Sequence, residues 1–303
     1  MILLWGMDGD PPLAAVRSAL DRRNAPYFYL DQRAILDTEV HLDAGADTRG
    51  YVRYRGQELR FEDVTASYIR PDDSRQLADV SAAGPESTAW LHALSVEDTL
   101  LSWTEITPAL VINRPSAMGS NTSKPYQLEL IHALGFDTPE TLVTTDPDAA
   151  LAFWNEHKEV IYKSVSSVRS KVARITSQHL NRLGHIATCP TQFQKYVPGV
   201  DYRVHVVGES VFGCSVESAG DDYRYAQSNV SPCALPDFVA ARAKDVAAGL
   251  GLMLAGLDLR RTPEDCWVCF EVNPSPGFTF YDRLEGEPIA AAIARLLASA
   301  GRG

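Results

Sequence analysis

The stretch Phe270-Glu271-Val272-Asn273-Pro274 decides the fold, together with Asp258 upstream of it. Glu271 and Asn273 are two residues apart in an apparent strand, so their side chains share one face of that strand. By the same alternation, Phe270 is expected to point the other way, toward a core. The pattern therefore predicts a half-buried strand that carries two polar side chains on one face.

A hairpin brings Asp258 to that same face. Thr262-Pro263-Glu264-Asp265 predicts a turn, and a tight turn would place Asp258 opposite Cys269 and diagonal to Glu271. Two carboxylates and an amide oxygen then converge, a ligand set that suits Mg²⁺ completed by water and nucleotide phosphates. A solvated strand face is the alternative interpretation. The apolar flanks of both strands and Pro274 at the end favour the metal site.

Composition limits the class of protein. The chain has 303 residues, 45% of them hydrophobic and 22% charged, which predicts two or three packed lobes of a soluble protein. The net charge of −11 disfavours nucleic-acid partners. The opening Met1-Ile2-Leu3-Leu4-Trp5-Gly6 is too short and lacks the basic start of a secretion signal, and no later apolar run approaches ~20 residues. We therefore expect a cytoplasmic protein without a membrane partner.

The cysteines agree with a reducing compartment. There are five, an odd number in a long chain, which does not indicate a disulfide framework. Cys266 and Cys269 form a CxxC pattern inside an apparent strand, where residues three apart point to opposite faces. We interpret them as ordinary strand residues rather than a redox or zinc pair.

Hydrophobic patterning predicts an α/β chain. The N-terminus is typical of a strand, a helix and a strand, at residues 2–7, 11–20 and 27–30. Further strands are expected near 51–54, 66–70, 111–113, 141–144, 160–163 and 191–197, with a helix over 88–103. Hairpins are expected at 202–215 and 257–273, with helices at 237–250 and 288–298.

The hairpin motif, Asp258-Leu259-Arg260-Arg261-Thr262-Pro263 with Phe270 to Phe278, resembles the C-terminal signature of ATP-grasp ligases. It is most similar to the branch of ribosomal-protein glutamate ligases and microviridin-type peptide macrocyclases, over roughly residues 113–282. The resemblance implies an N-terminal α/β domain at 1–115, a central ATP-grasp subdomain at 116–198 and a C-terminal subdomain at 199–303. It also implies that Asp258, Glu271 and Asn273 hold the magnesium ions that bridge the ATP phosphates.

Two lysines are candidates for the phosphates. Lys163 ends an otherwise apolar strand, where a lysine standing alone would be interpreted as a surface edge residue. The resemblance implies that it contacts ATP phosphates. Lys124 lies at a predicted helix N-terminus, where the helix dipole also favours anions. Together the two would offset part of the charge of a triphosphate.

A serine-rich segment follows Lys163. Relatives carry a flexible, often glycine-rich loop over the phosphates at this point, and this chain has Ser166, Ser167 and Arg169. Backbone N–H groups and hydroxyls could cradle phosphate there, and Arg169 could pair with phosphate or a substrate carboxylate. An ordinary polar surface loop is the alternative interpretation.

Residues 191–199 resemble the hinge between the central and C-terminal subdomains. In relatives the hinge backbone bonds to the adenine ring, which assigns Gln194, Lys195, Tyr196 and Val197 to the nucleotide site. Lys195 replaces the acidic residue that is common at this position. The backbone contacts do not depend on that side chain.

Asp201 and Arg203 alternate onto one face of the next strand. Asp201 fits the family's acidic contact to the ribose hydroxyls. Arg203 could stabilise charge on the transferred phosphoryl group or on an acyl phosphate, so it and Lys163 are the catalytic candidates. A cross-strand ion pair on the surface is the alternative for Asp201 and Arg203. His205 follows on the same face and is interpreted as an interior histidine rather than a cleft residue.

The resemblance implies an ATP- and Mg²⁺-dependent ligase that joins a carboxylate to an amine or hydroxyl through an acyl phosphate. The expected substrate is an amino acid, a peptide or a peptide-derived natural product, and a homodimer is possible. Residues 274–282 and the loop 218–225, with Asp221, Asp222 and Arg224, are candidates to contact the substrate; an acidic surface loop is equally compatible with the latter. The alternatives are an ATP-grasp-fold small-molecule kinase and a non-catalytic nucleotide-binding regulator.

Overall fold

The computed structural model describes residues 1–45, 48–164, 173–218 and 228–301, and the chain forms two compact units. The first unit comprises Met1–Ala117, Leu252–Leu254 and Gly277–Gly303, and the second comprises Met118–Gly251 and Ala255–Pro276. The segment after Pro276 thus belongs with the N-terminal unit, whereas the division predicted from the sequence groups it with residues 199–276.

Strands and helices are numbered in chain order. The strands are β1 Ile2–Gly6, β2 Tyr27–Asp31, β3 Glu39–Ala44, β4 Thr48–Tyr54, β5 Gln57–Arg60, β6 Ala66–Arg70, β7 Leu110–Ile112, β8 Thr141–Thr144, β9 Val160–Ser164, β10 Ala173–Arg174, β11 Thr191–Lys195, β12 Val200–Val207, β13 Ser210–Ser218, β14 Ser228–Cys233, β15 Leu254–Arg261 and β16 Trp267–Asn273. The helices are α1 Pro11–Arg22, α2 Ala78–Ala83, α3 Thr88–Ile106, α4 Pro115–Met118, α5 Lys124–Ala133, α6 Pro147–His157, α7 Ser177–Leu180, α8 Asp237–Gly249, α9 Thr279–Asp282 and α10 Pro288–Ser299.

The first unit is built on a parallel sheet of order β2-β1-β6-β7. Strand β1 is buried along its whole length, which explains its continuous apolar sequence. Helix α1 begins after Asp10, whose carboxylate accepts a hydrogen bond from Leu13 N, with Pro11 in the first turn. Helix α10 packs against α1 through its buried apolar side. An antiparallel sheet of order β3-β4-β5 adds to this unit.

The second unit contains two sheets. The first has the order β10-β9-β11-β8, with antiparallel pairing, and packs a small core around Phe193 against α6. The second has the order β14-β13-β12-β15-β16, so β16 is an edge strand. Helix α8 packs on β12 and β13, and α5 packs on β16. The predicted hairpins β12–β13 and β15–β16 are both present.

Within the described ranges, no helix combines the length and the apolar character needed to cross a membrane.

Candidate functional site

The edge hairpin brings the two acidic candidates into direct register. Asp258 of β15 lies opposite Glu271 of β16, and Gly256 lies opposite Asn273. The expectation that Asp258 lies opposite Cys269 was wrong, because the pairing shifts between Asp258 and Leu259. The two carboxylates are therefore adjacent cross-strand neighbours rather than diagonal ones.

A β-bulge at Phe270 causes this shift. Leu259 pairs with Cys269 and Asp258 with Glu271, so Phe270 is the extra residue on β16. The expectation that Phe270 points into the core was also wrong. Phe270 is only partly buried, and its ring lies 5.2 Å from the guanidinium of Arg260.

Each carboxylate is held by a cation. Lys124 Nζ lies 3.0 Å from Glu271 Oε2, and Arg203 Nη1 donates to Asp258 Oδ1 at 2.5 Å. The Arg203 side chain is 9% exposed, so this charge-assisted hydrogen bond is only weakly screened by solvent. The remaining candidate, Asn273, accepts a hydrogen bond from Ser275 N through Oδ1 at 2.9 Å. The ligand candidates are thus fixed in orientation by their own neighbours.

The donor set fits a hard cation. Two carboxylates and an amide oxygen are the oxygen ligands that Mg²⁺ takes, and Mg²⁺ normally completes its shell with water and phosphate oxygens. Among the residues that the structure describes, no group of three or more His, Cys, Asp and Glu side chains could hold a metal ion. A magnesium ion at Asp258, Glu271 and Asn273 would complete its shell with water or with oxygens of a bound nucleotide.

Helix α5 fixes the edge strand between its two polar residues. The buried Gln127 side chain donates from Nε2 to Val272 O at 2.8 Å and accepts from Val272 N at 3.0 Å. It thereby satisfies both backbone groups that an edge strand leaves unpaired at this position. Lys124 lies one turn earlier on the same helix, which explains how it reaches Glu271. Sequence analysis did not identify Gln127, because its partner is 145 residues away.

Asp201 and Arg203 each pair with a residue of β15. Arg203 contacts Asp258, and both Oδ atoms of Asp201 accept hydrogen bonds from Arg260 at 2.7 and 2.9 Å. This differs from the alternative of a mutual surface ion pair, since all these side chains are largely buried. Arg260 is a residue that sequence analysis missed.

In the sheet of order β10-β9-β11-β8, Lys163 of β9 lies directly opposite Gln192 of β11. Gln194 lies two residues further along β11 on the same face and donates to Thr141 Oγ1 at 2.9 Å. The Lys195 ammonium pairs with Glu140 at 2.7 Å, and that hydrogen bond lowers the pKa of the Glu140 carboxyl. The positive charge of Lys195 is thus matched by an acidic residue beside the hinge.

Other candidates take no part in this cluster. Burial, and then the charge of Arg203, hold the pKa of His205 well below its ordinary value, so His205 is a neutral interior residue. Cys269 is buried, and burial raises the pKa of its thiol, whereas Cys266 is exposed just before β16. Both are free thiols, and the expectation that Cys266 lies inside the strand was wrong, because β16 begins at Trp267. Ser166, Ser167, Arg169 and the loop 218–225 lie outside the residues that the structure describes, apart from the backbone of Ser218.

Comparisons with known proteins identify a family and several similar proteins. A family model described as RimK-like ATP-grasp domain matches residues 121–297. Beta-citrylglutamate synthase B of Danio rerio is 27% identical over 229 residues, which cover 70% of this chain and 56% of the relative. The chain therefore spans little more than half the length of that curated relative.

Two solved structures share the fold over almost the whole chain. Macrocyclase MdnC from Microcystis aeruginosa MRC, bound with precursor peptide MdnA, has a TM-score of 0.80 at 22% identity, with 98% of this chain and 99% of that chain covered. ATP-grasp ligase PsnB, complexed with a phosphomimetic variant of minimal precursor, Mg and ADP, has a TM-score of 0.82 at 22% identity, with 99% and 98% covered.

The fold and the acidic edge hairpin define a protein of the ATP-grasp class, as the sequence predicted. Because the family model matches more than half of the residues, the chain belongs to the RimK-like ATP-grasp family. The similar proteins include one named as a synthase and one named as an ATP-grasp ligase, the latter in complex with Mg and ADP. The α/β fold class and the resemblance to ATP-grasp ligases are confirmed.

Proposed function

We propose that this chain is an ATP-dependent ligase that joins a carboxylate to an amine or a hydroxyl through an acyl phosphate. The observation that carries the proposal is the paired Asp258 and Glu271, each held by a buried or half-buried cation on the edge hairpin. Membership in a family of ligases supports the same reaction class.

The proposed reaction has two steps. A carboxylate oxygen of the substrate attacks the γ-phosphorus of ATP, the bond to the β-phosphate oxygen breaks, and ADP leaves. An amine or hydroxyl then attacks the acyl carbon, inorganic phosphate leaves with the former carboxylate oxygen, and the proton of the nucleophile passes to solvent. Such phosphoryl transfer depends on positioning and charge neutralisation more than on covalent help from the protein.

The residues divide this work. Asp258, Glu271 and Asn273 would hold Mg²⁺, which when bound supplies positive charge at the phosphate oxygens. Lys163 and Lys124 add charge at the phosphates. Arg203, oriented by Asp258, stabilises charge that develops on the transferred phosphoryl group.

The base of the nucleotide binds at the hinge. Gln194 and Lys195 end strand β11, and Tyr196 and Val197 follow it directly. The backbone N–H and C=O groups of this extended segment can exchange hydrogen bonds with the edge of the adenine ring. Lys195 is engaged by Glu140 through its side chain and leaves recognition to the backbone.

The proposed substrate is a peptide. MdnC and PsnB, which share the fold, are described with precursor peptides bound. A peptide that carries Asp or Glu together with Lys, Ser or Thr contains both reacting groups. Amino acids and other peptide-derived molecules are the smaller alternatives.

The experiment measures ADP release in the presence of Mg²⁺ with single amino acids and with peptides that contain these residues, followed by mass spectrometry of the products. A loss of water from one peptide, or from two joined molecules, is the expected mass change. The Glu271→Gln variant should lose ADP release by on the order of 10²-fold or more, because a metal ligand loses its charge. Glu264→Gln, on the exposed turn of the same hairpin, is the matched control. Full turnover by Glu271→Gln would contradict the metal assignment.

The same measurement distinguishes the two other classes. A kinase would give a stable phosphate ester with the mass of one added phosphate. A regulator would bind ADP without any turnover across the panel. Either result would replace the ligase proposal.

The proposal also includes a cytoplasmic location and a homodimeric state. All five cysteines are described and none forms a disulfide, which supports a reducing compartment such as the cytoplasm. A homodimer is tested by light scattering coupled to size-exclusion chromatography.

A further inference from the structure

The hinge segment, residues 194–197, is bonded to the end of β15 by one arginine. Arg260 donates from Nε and Nη2 to the two carboxylate oxygens of Asp201, at 2.7 and 2.9 Å. Its Nη1 donates to the carbonyl of Val197 at 2.8 Å. The Arg260 and Asp201 side chains are only 13% and 14% exposed, so removal of either leaves the other as a poorly solvated charge.

Gly199 makes this close approach possible. It has φ +145, and an added Cβ would lie 2.1 Å from Arg261 O and 3.1 Å from Arg260 Cγ. Backbone atoms cannot yield to such an overlap, so a side chain at 199 would push the segment away from β15. Arg260 therefore bonds to both ends of the segment 197–201, at Val197 O and at the Asp201 carboxylate, and Gly199 leaves room for that approach.

Tyr196 is held from two strands. The Arg174 guanidinium carbon lies 3.7 Å from the centre of the Tyr196 ring, and that of Arg260 lies 5.8 Å from it, both within the range of cation–π contacts. Tyr196 N also donates to Glu159 O at 2.9 Å. The hinge residue is thus fixed at its ring and at its backbone.

From these contacts we infer that Arg260 and Asp201 are positioning residues for the nucleotide base, because they fix the hinge backbone to which the base binds. The inference rests on the proposed function. Asp201 acts on the hinge through Arg260, because both of its oxygens accept hydrogen bonds from the guanidinium. A planar guanidinium that spans a carboxylate and a carbonyl sets the direction as well as the distance of the hinge.

The experiment compares Arg260→Gln, Asp201→Asn and the double variant with wild type and with Arg261→Gln. Arg261 is the neighbouring arginine; it is exposed and pairs with Asp265 in the adjoining turn, so it controls for the loss of a charge. Calorimetry with Mg²⁺ measures the Kd of ADP, 2′-deoxyADP and inorganic tripolyphosphate. Thermal melting confirms folding, and the Arg260→Lys variant keeps the charge if Arg260→Gln does not fold.

Both single variants should raise the Kd of ADP and that of 2′-deoxyADP by the same factor, roughly 10- to 100-fold. The double variant should lose no more than either single one, and binding of tripolyphosphate should not change, because it makes no contact with the hinge. Hydrogen exchange of the amides of residues 196, 197 and 199–201 should rise in the absence of any ligand.

Two results would overturn the inference. The first is that Asp201→Asn weakens the binding of ADP but not of 2′-deoxyADP, which would assign Asp201 to the ribose. The second is that both variants bind ADP as wild type does. Absence of ADP binding by the wild-type protein would instead contradict the proposed function itself, and the exchange rates of the hinge amides would still report whether Arg260 holds that segment.

Discussion

Gly256 leaves the space that the guanidinium of Arg203 fills. A Cβ added at Gly256 would lie 2.5 Å from Arg203 Nη2 and 2.7 Å from Pro276 Cβ. Both separations are well inside van der Waals contact, so any side chain at this position forces Arg203 away from Asp258. At the scale of single residues, the absence of a side chain is as important as the charges it accommodates.

The Gly256→Ala variant should therefore lose catalytic turnover, by on the order of 10²-fold, while its affinity for ADP stays near that of wild type. The reason is that Arg203 is displaced but the hinge is not touched. Steady-state kinetics and calorimetry measure the two effects. Gly184→Ala, where an added Cβ meets nothing within 4 Å, is the control. An unchanged kcat would contradict the role given to Arg203, as would an equal loss in an Arg203→Gln background.

His205 predicts a dependence of stability on pH. Burial, and then the charge of Arg203, keep its pKa far below the unfolded value of about 6.5, so the unfolded chain takes up the proton first. The stability that His205 contributes is present above pH ~6.5 and is lost as the pH falls toward the folded pKa, at about 1.4 kcal/mol per pH unit.

The His205→Leu variant should lose that part of the acid sensitivity. Denaturant unfolding between pH 5 and 7.5 measures the slope, and His185→Asn, at an exposed position, is the control. Equal slopes for wild type and His205→Leu would show that the interior histidine is not the group that titrates.

At the scale of elements, α5 supplies hydrogen-bond partners that the edge strand β16 would otherwise lack on its open side. Its Gln127 side chain pairs with both backbone groups of Val272, between Glu271 and Asn273. Replacing Gln127 with Met should cost about 2 to 4 kcal/mol of unfolding free energy, because two buried backbone groups lose their partners. Glu129→Met, on the exposed side of the same helix, should stay within about 0.5 kcal/mol. Urea unfolding compares the two; similar values would contradict the role of Gln127.

Local patterns were sufficient for most elements. The strand–helix–strand start, helix α8 and the two hairpins follow from residue alternation and turn chemistry, and the structure confirms them. Strands β3, β5, β10 and β14 were not predicted. Strand β3 does alternate apolar residues, at Val40, Leu42 and Ala44, whereas β14 has few apolar residues and contains Pro232, so its pairing depends on its neighbouring strand rather than on its own sequence.

The proximity of Asp258, Glu271 and Asn273 was predicted from the sequence, but the register of the two strands was not. Alternation placed Glu271 and Asn273 on one face and Asp258 near them. It could not reveal the bulge at Phe270, since a bulge is decided by how the strand packs. Arg260 and Gln127 escaped for a related reason, because their importance comes from partners distant in the sequence.

At the scale of the whole molecule, the chain alternates between its two units. Residues 252–254 and the segment from Gly277 belong to the first unit, although the second unit lies between them in sequence. Asn113 of the first unit bonds to the segment 252–254. Its Nδ2 donates to Leu254 O at 2.7 Å, and its Oδ1 accepts from Met253 N at 2.8 Å. Sequence patterns did not predict that these segments belong to the first unit, because a local pattern does not show which distant residues a segment packs against.

The central claim concerns the reaction of the whole protein and is tested most directly by isotope transfer. A substrate from the peptide panel is labelled with ¹⁸O in its reacting carboxylate, and the phosphate released from ATP is analysed by mass spectrometry. An acyl phosphate route predicts one ¹⁸O in each inorganic phosphate, because the carboxylate oxygen leaves with the phosphoryl group. Unlabelled phosphate, or a stable phosphate ester of the substrate, would contradict the account.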